Sequence, residues 1–206
     1  MFEQQINELE NIKLSDDYTI LKGNVPILFS APHTMFQLRD DGSVKLKEPY
    51  TKAIALYLNK YCNTCAIIKN NDTGIDSNKD NYDRYNVEMR RLIKDHNIKL
   101  VIDIHGASKE RDFDIEFGTL NNLSADFSTI KELEEAFTEN GISIINHNNP
   151  FKGGAITQGI YSLDDVDVIQ IEINGKYRDY NNIKELEKLI QSLKNFVKQY
   201  NEYINR

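Results

Sequence analysis

Two of the chain's four histidines stand where one metal ion could be shared. His33 closes Ser30-Ala31-Pro32-His33 behind the apolar run Val25-Pro26-Ile27-Leu28-Phe29, and His105 closes Asp103-Ile104-His105-Gly106 behind Lys99-Leu100-Val101-Ile102. Both runs read as buried strands of a mostly parallel sheet, with each histidine just past the strand's end, where open α/β sheets take their ligands. One histidine in such a place is more often a hydrogen-bonded core residue; two in equivalent places point to a common ion. A catalytic zinc takes three protein ligands and keeps a fourth position for water or substrate, so a third donor is required. The His-x-x-Glu spacing would put it at Phe36, which cannot ligate. Glu48 is attractive because it opens the helix after the His33 loop, although a first-turn glutamate is also common for helix-dipole reasons alone. Asp103 competes with it, since two-residue alternation sets it on the same strand face as His105, where it could ligate or instead orient an imidazole from behind.

Zinc-assisted hydrolysis also needs a base for water. Glu172 is a carboxylate within the otherwise apolar Val168-Ile169-Gln170-Ile171-Glu172-Ile173, and a buried carboxylate asks for a partner. The alternative is an edge strand whose Gln170 and Glu172 face water. Asn174-Gly175-Lys176-Tyr177-Arg178 then ends the strand in groups able to bind an anion. A substrate carboxylate would be met by a bidentate arginine, and Arg39, Arg84, Arg111 and Arg178 are the candidates, each equally readable as a surface charge. His96 reads as a cation at a helix C-terminus and His147 as an exposed loop residue. Cys62 and Cys65 close one helix and open the next strand, which is not how a redox Cys-x-x-Cys pair is built, so they read as reduced, buried residues.

The elements that must position these groups alternate between strand and helix. Residues 1–16 read as a peripheral helix, and 18–21 with 25–30 as a hairpin turned by Lys22-Gly23-Asn24. Residues 33–47 form a polar loop, 48 to 61 a helix with Ile54, Tyr57, Leu58 and Tyr61 inward, and 66–68 a strand. The turn-rich loop 70–81 is long enough to be functional or disordered. A helix from about 82 to 96 leads into the central strand. Residues 113–117 alternate as a half-exposed strand does, 129–137 is an amphipathic helix, 142–145 a strand, and Asn148 to Gly154 a loop whose paired glycines permit close approach. A strand over 166–173 and a final helix over about 182–203, apolar with a period of 3.6, complete an α/β three-layer architecture in one domain spanning 1–206.

Composition is ordinary for a soluble globular protein. The 206 residues suffice for one full core, and a formal charge of −7 lacks the basic stripe a nucleic-acid partner requires. No apolar stretch approaches membrane-spanning length. Met1-Phe2-Glu3-Gln4-Gln5 shows no basic-then-apolar secretion signal, so the cytoplasm is the expected location.

In their order along the chain, several of these segments together resemble the N-formylglutamate amidohydrolase family and, more distantly, the zinc carboxypeptidase and aspartoacylase group. The segments are Ser30-Ala31-Pro32-His33, Glu48-Pro49-Tyr50-Thr51, Asp80-Asn81-Tyr82-Asp83, Asp103-Ile104-His105-Gly106, Phe151-Lys152-Gly153-Gly154 and Gln170-Ile171-Glu172-Ile173-Asn174. The resemblance implies a phosphorylase/hydrolase-like α/β/α sandwich with a mixed, largely parallel sheet. It also implies one zinc ion on His33, Glu48 and His105, with Glu172 as general base for cleaving a linear amide of an N-acyl amino acid or short peptide. Asn81-Tyr82-Asp83-Arg84 stands where the family has Asn-Arg, which adds Asn81 to the substrate-binding candidates beside Arg84. A zinc carboxypeptidase-like peptidase or amidase, or a non-catalytic ligand-binding domain on the same fold, are the rival readings.

Overall fold

Apolar, β-branched runs form the middle of the sheet and amphipathic segments cover it. In the computed structural model, which describes residues 2–39, 41–163 and 165–205, the chain runs α1 (Phe2–Asn11), β1 (Tyr18–Leu21), β2 (Val25–Ala31), β3 (Gln37–Leu38), β4 (Val44–Lys45), α2 (Thr51–Cys62), β5 (Thr64–Lys69) and α3 (Arg84–Asp95). It continues through β6 (Leu100–Ala107), β7 (Ile115–Gly118), α4 (Phe127–Thr138), β8 (Ile145–His147), α5 (Ala155–Tyr161), β9 (Asp167–Asn174) and α6 (Ile183–Ile204). Among the described residues seven strands make one sheet in the order β1-β5-β2-β6-β9-β7-β8, and β3 and β4 make a separate small ribbon. Strands β5, β2, β6 and β9 run parallel, as do β7 and β8; β1 on β5 and β7 on β9 are antiparallel.

Alternation along each strand builds two cores. Ile27, Phe29, Ile102, Ile104, Ile169 and Ile171 face α1, α2, α4 and α6, whereas Leu28, Ile67, Val101 and Val168 face α3 and α5. The fold is thus a three-layer α/β/α sandwich with a mixed, mostly parallel sheet, as the alternation of elements predicts. The helix α6 buries Leu186, Leu189, Ile190, Leu193, Phe196, Val197 and Tyr200, the expected stripe. Among the described residues no helix is long and apolar enough to cross a membrane.

Several sequence expectations are corrected. Residues 18–21 and 25–30 do not form a hairpin: β5 lies between β1 and β2. The chain at Gly23 crosses the start of β5, so near that a Cβ there would sit 2.2 Å from the Asn63 carbonyl oxygen. Gly23 is therefore there for close approach, not for a turn. Strand β7 is wholly buried instead of half-exposed, because β9 and β8 flank it. Strand β9 is interior and Gln170 and Glu172 are buried, so the edge-strand alternative does not hold. The strand expected at 142–145 begins at Ile145, since Ile142 is spent closing the end of α4 through its N–H on the Phe137 carbonyl. Glu48 precedes α2, which starts at Thr51, and His105 lies within β6, not beyond it.

Candidate functional site

Between β2 and β6 the strand order reverses: the chain moves outward from β2 to β5, then crosses back to β6. Such a switch point opens a crevice at the carboxyl ends of the strands, and the two histidines flank it. His33 follows β2, with its carbonyl accepting the Glu48 N–H at 2.9 Å, so the loop carrying Glu48 is tied to the histidine it serves. His105 leaves β6 on the same face as Asp103. The two Nδ1 atoms stand 3.1 Å apart. Glu48 Oε1 is 3.1 Å from His33 Nδ1, and its Oε2 is 3.6 Å from His105 Nδ1. The Gly106 N–H donates to that Oε2 at 2.9 Å, and Lys45 Nζ reaches Oε1 at 2.5 Å. All three side chains are buried.

Each imidazole turns its other nitrogen to an aspartate. His33 Nε2 is 2.8 Å from Asp76 Oδ1 and His105 Nε2 is 2.8 Å from Asp103 Oδ2. Asp103 is fixed in turn by the Ser30 hydroxyl at 2.8 Å, and Asp76 by Arg39 at 2.6 Å. A carboxylate at Nε2 places the proton there and leaves Nδ1 with a lone pair. With both imidazoles neutral, two lone pairs and a carboxylate converge on one point, an arrangement that draws positive charge to its centre, either a proton or a cation. His33, Glu48 and His105 offer donor atoms all within 4.8 Å of one another, and tetrahedral donors each about 2.1 Å from one ion stand ~3.4 Å apart. The donor set thus fits a divalent ion with nitrogen and oxygen ligands. Asp103, the rival third ligand, sits behind His105.

The electrostatics agree. Burial works against the Glu48 charge, but the two imidazoles outweigh it and hold its carboxyl well below the usual range. Burial likewise opposes charge on His105, yet Asp103 and Glu48 draw it well above the ordinary imidazole value. Glu172 is raised, mainly by burial. It is the register partner of His105 on the neighbouring strand and lines a cleft of about 340 Å³ with both histidines, Arg39, Lys45, Asp76, Lys79 and Lys152. A larger hollow, about 1140 Å³, lies at the opposite rim of the sheet and holds none of these residues.

The substrate-binding candidates separate. Arg39 faces the cleft, and Arg111 stacks on the ring of Phe151, which lines it. Arg84 instead lies over Tyr18 beyond the cleft. The Asn81 carbonyl holds Arg90, and its side chain is pressed towards Gly159. Arg178 is buried and donates to the carbonyls of Ile173, Pro49 and Ala107, bracing strand ends where a substrate arginine was expected. Asp76 and Lys45 are not singled out by the sequence, and Gln170 stands out there only as a polar residue in an apolar strand. Asp76 sits in the polar loop 70–81, whose length is its only signal.

Residues 79–177 match the family model described as N-formylglutamate amidohydrolase. The likeness is to that family. The match spans His105 and Glu172 and supports hydrolysis of amide bonds, while His33 and Glu48 lie outside the N-formylglutamate amidohydrolase segment. No curated protein matches the sequence. Among solved structures, an N-formylglutamate amidohydrolase from Ralstonia eutropha superposes with a TM-score of 0.72 at 14% identity, covering 93% of this chain and 99% of that one. A gene product from Agrobacterium tumefaciens gives 0.63 at 12%, covering 93% and 97%. A bacteriophage poly-gamma-glutamate hydrolase gives 0.62 at 13%, covering 97% and 96%. At these identities the superpositions establish the fold.

Proposed function

We propose that residues 1–206 act as one metal-dependent amidohydrolase domain that cleaves a linear amide of an anionic N-acyl amino acid or short glutamyl peptide. The observation that carries the reading is the convergence of the His33 and His105 Nδ1 atoms and the Glu48 carboxylate beside a cleft that Glu172 also lines. His33, Glu48 and His105 would hold the ion, zinc in this reading. When bound, that ion would make water acidic enough to attack near neutrality and set positive charge beside the amide oxygen. Glu172 takes the proton from water at Oε2, its Oε1 being occupied by Gln170, and delivers it to the leaving amine. Its burial favours this exchange, because a carboxyl raised from its ordinary value both accepts and returns a proton more readily at neutral pH. Asp76 and Asp103 keep the imidazoles in the ligating tautomer. Arg39, Lys79 and Lys152 at the cleft suit a substrate carboxylate, the acidic group of the substrates after which the family and the bacteriophage enzyme are named. The Arg39 guanidinium is shared with Asp76, so Lys152 is the readier partner.

The test is metal analysis of the purified protein together with a panel of N-formyl, N-acetyl and γ-glutamyl compounds, assayed with and without chelator. About one zinc per chain and chelator-sensitive release of an amine are expected. Glu172→Gln should keep the metal and lose on the order of 10²–10⁴ in kcat. Absence of stoichiometric metal in wild type, or metal content unmoved by His33→Ala and His105→Ala, would overturn the assignment.

A further inference from the structure

Gln170 and Glu172 stand two residues apart on β9 and leave the sheet on the same face. Gln170 is buried and touches none of His33, Glu48 or His105 through a hydrogen bond. Its carbonyl oxygen accepts the Gly154 N–H at 2.8 Å and its amide donates to Glu172 Oε1 at 3.0 Å. That orientation is dictated by chemistry: a backbone N–H can only donate, so the side-chain oxygen must face it and the NH₂ must face the carboxylate.

Gly154 ends a wall of the cleft that is pinned along its length. The Phe151 N–H donates to buried Glu116 at 2.6 Å, the Lys152 carbonyl accepts from the Leu120 N–H at 2.7 Å, and the Ala155 N–H meets the Asn78 carbonyl at 3.0 Å. A Cβ on Gly154 would fall 2.1 Å from Asn78 Oδ1, so the wall and the Asn78 side chain are in close contact. The Asn78 N–H donates at 3.0 Å to Asp76 Oδ1, the same oxygen that faces His33 Nε2. One run of contacts therefore rings the cleft, from His33 through Asp76, Asn78 and Gly154 to Gln170 and Glu172.

We infer that Gln170 is a positioning residue that aims the Glu172 carboxylate, holding Oε1 against the wall so that Oε2 is the oxygen presented to the cleft. The inference rests on the reading of Glu172 as base. A neutral amide is well suited to this, because it donates to the carboxylate, adds no charge beside the histidines, and cannot compete for the proton. Glutamine also reaches both partners at once, so the wall and the base keep one relative position.

The experiment compares the metal-loaded wild-type protein with Gln170→Leu, which removes both hydrogen bonds at similar volume, and Gln170→Glu, which keeps the acceptor for Gly154 but opposes Glu172. Metal content, kcat and KM on a compound cleaved by wild type, and crystal structures are measured on each. Gln170→Leu should keep its metal and hold KM within about twofold, while kcat falls about ten- to hundredfold and the Glu172 carboxylate turns. Gln170→Glu should lose more. A residue serving only packing would lower thermal stability but leave kcat per metal-loaded site unchanged, which would overturn the inference. If wild type cleaves no amide, the functional reading fails by itself. The crystal structures then decide for Gln170: a Glu172 carboxylate unmoved in Gln170→Leu overturns the positioning role, and a turned one upholds it.

Discussion

Asp76 and Asp103 reach the two histidines from opposite sides and in different surroundings, and that difference should be measurable. Asp103 is fully buried in β6 and gripped by Ser30, whose hydroxyl also stands 3.0 Å from that of Tyr85. Asp76 belongs to the loop 70–83 and shares its charge with Arg39. That loop is tied down by Lys69, which is buried and binds the Ser77 hydroxyl at 3.0 Å and the Ile75 carbonyl. Replacing either aspartate by asparagine removes the charge that keeps an imidazole in its ligating tautomer. Asp103→Asn and Asp76→Asn should each weaken metal binding by about 10–100-fold, read by competition with a chromophoric chelator. Wild-type affinity in both would show that the aspartates do not tune the site.

At the scale of elements, Gly23 separates the observed topology from the one its sequence suggests. The hairpin would need Gly23 at positive φ, but in the structure it takes no such φ, so its conformation alone would leave alanine neutral or stabilising by about 0.4–1 kcal/mol through the unfolded state. In the structure its Cβ would strike the carbonyl oxygens of Asn63 and Thr64 at 2.2 and 2.4 Å, and neither backbone atom can swing aside. Gly23→Ala should therefore destabilise, by ~1–3 kcal/mol as overpacking does, with a lowered midpoint in chemical denaturation. The same position shows what the sequence could and could not convey. Strands β2, β6 and β9 and the stripe on α6 were legible because burial imposes a period on residue type. The pairing partner of β1 was not, because partners are set by contacts between distant segments. The two site histidines, His33 and His105, stood out against apolar strands. Asp76 and Lys45 did not, since a polar residue in a polar loop carries no periodic mark; Gln170 broke an apolar run, but its partners lie in distant segments that the run does not show. Seven-residue α5 was hidden by Gly159 in its midst.

For the whole molecule, the site is a junction. It draws together the end of β2, the interior of β6 and the segment before α2, while Asp76 adds the loop that leads to α3. These pieces come from both sides of the switch point, so an ion bound there staples the two halves of the sheet. A ligand that binds only the folded chain stabilises it by about 2.7 kcal/mol at a hundred times its dissociation constant, which for a chain of this size raises the melting midpoint by roughly 5–10 °C. The gain must depend on pH, and its sign follows from His105. In the metal-free protein Asp103 and Glu48 raise this imidazole above its unfolded value despite burial. Its charge then stabilises the fold fully below the unfolded value, and that contribution is lost as pH rises through the higher folded one. Metal needs the same lone pair that the proton occupies, so binding releases protons and strengthens as pH rises. The stripped protein should accordingly lose stability towards high pH while the zinc-loaded protein does not, and the gap between their midpoints should widen from pH 6 to 8. Thermal melts of both forms across that range measure it directly. A gap that stays constant, or narrows with rising pH, would mean that the ion is not held by His105.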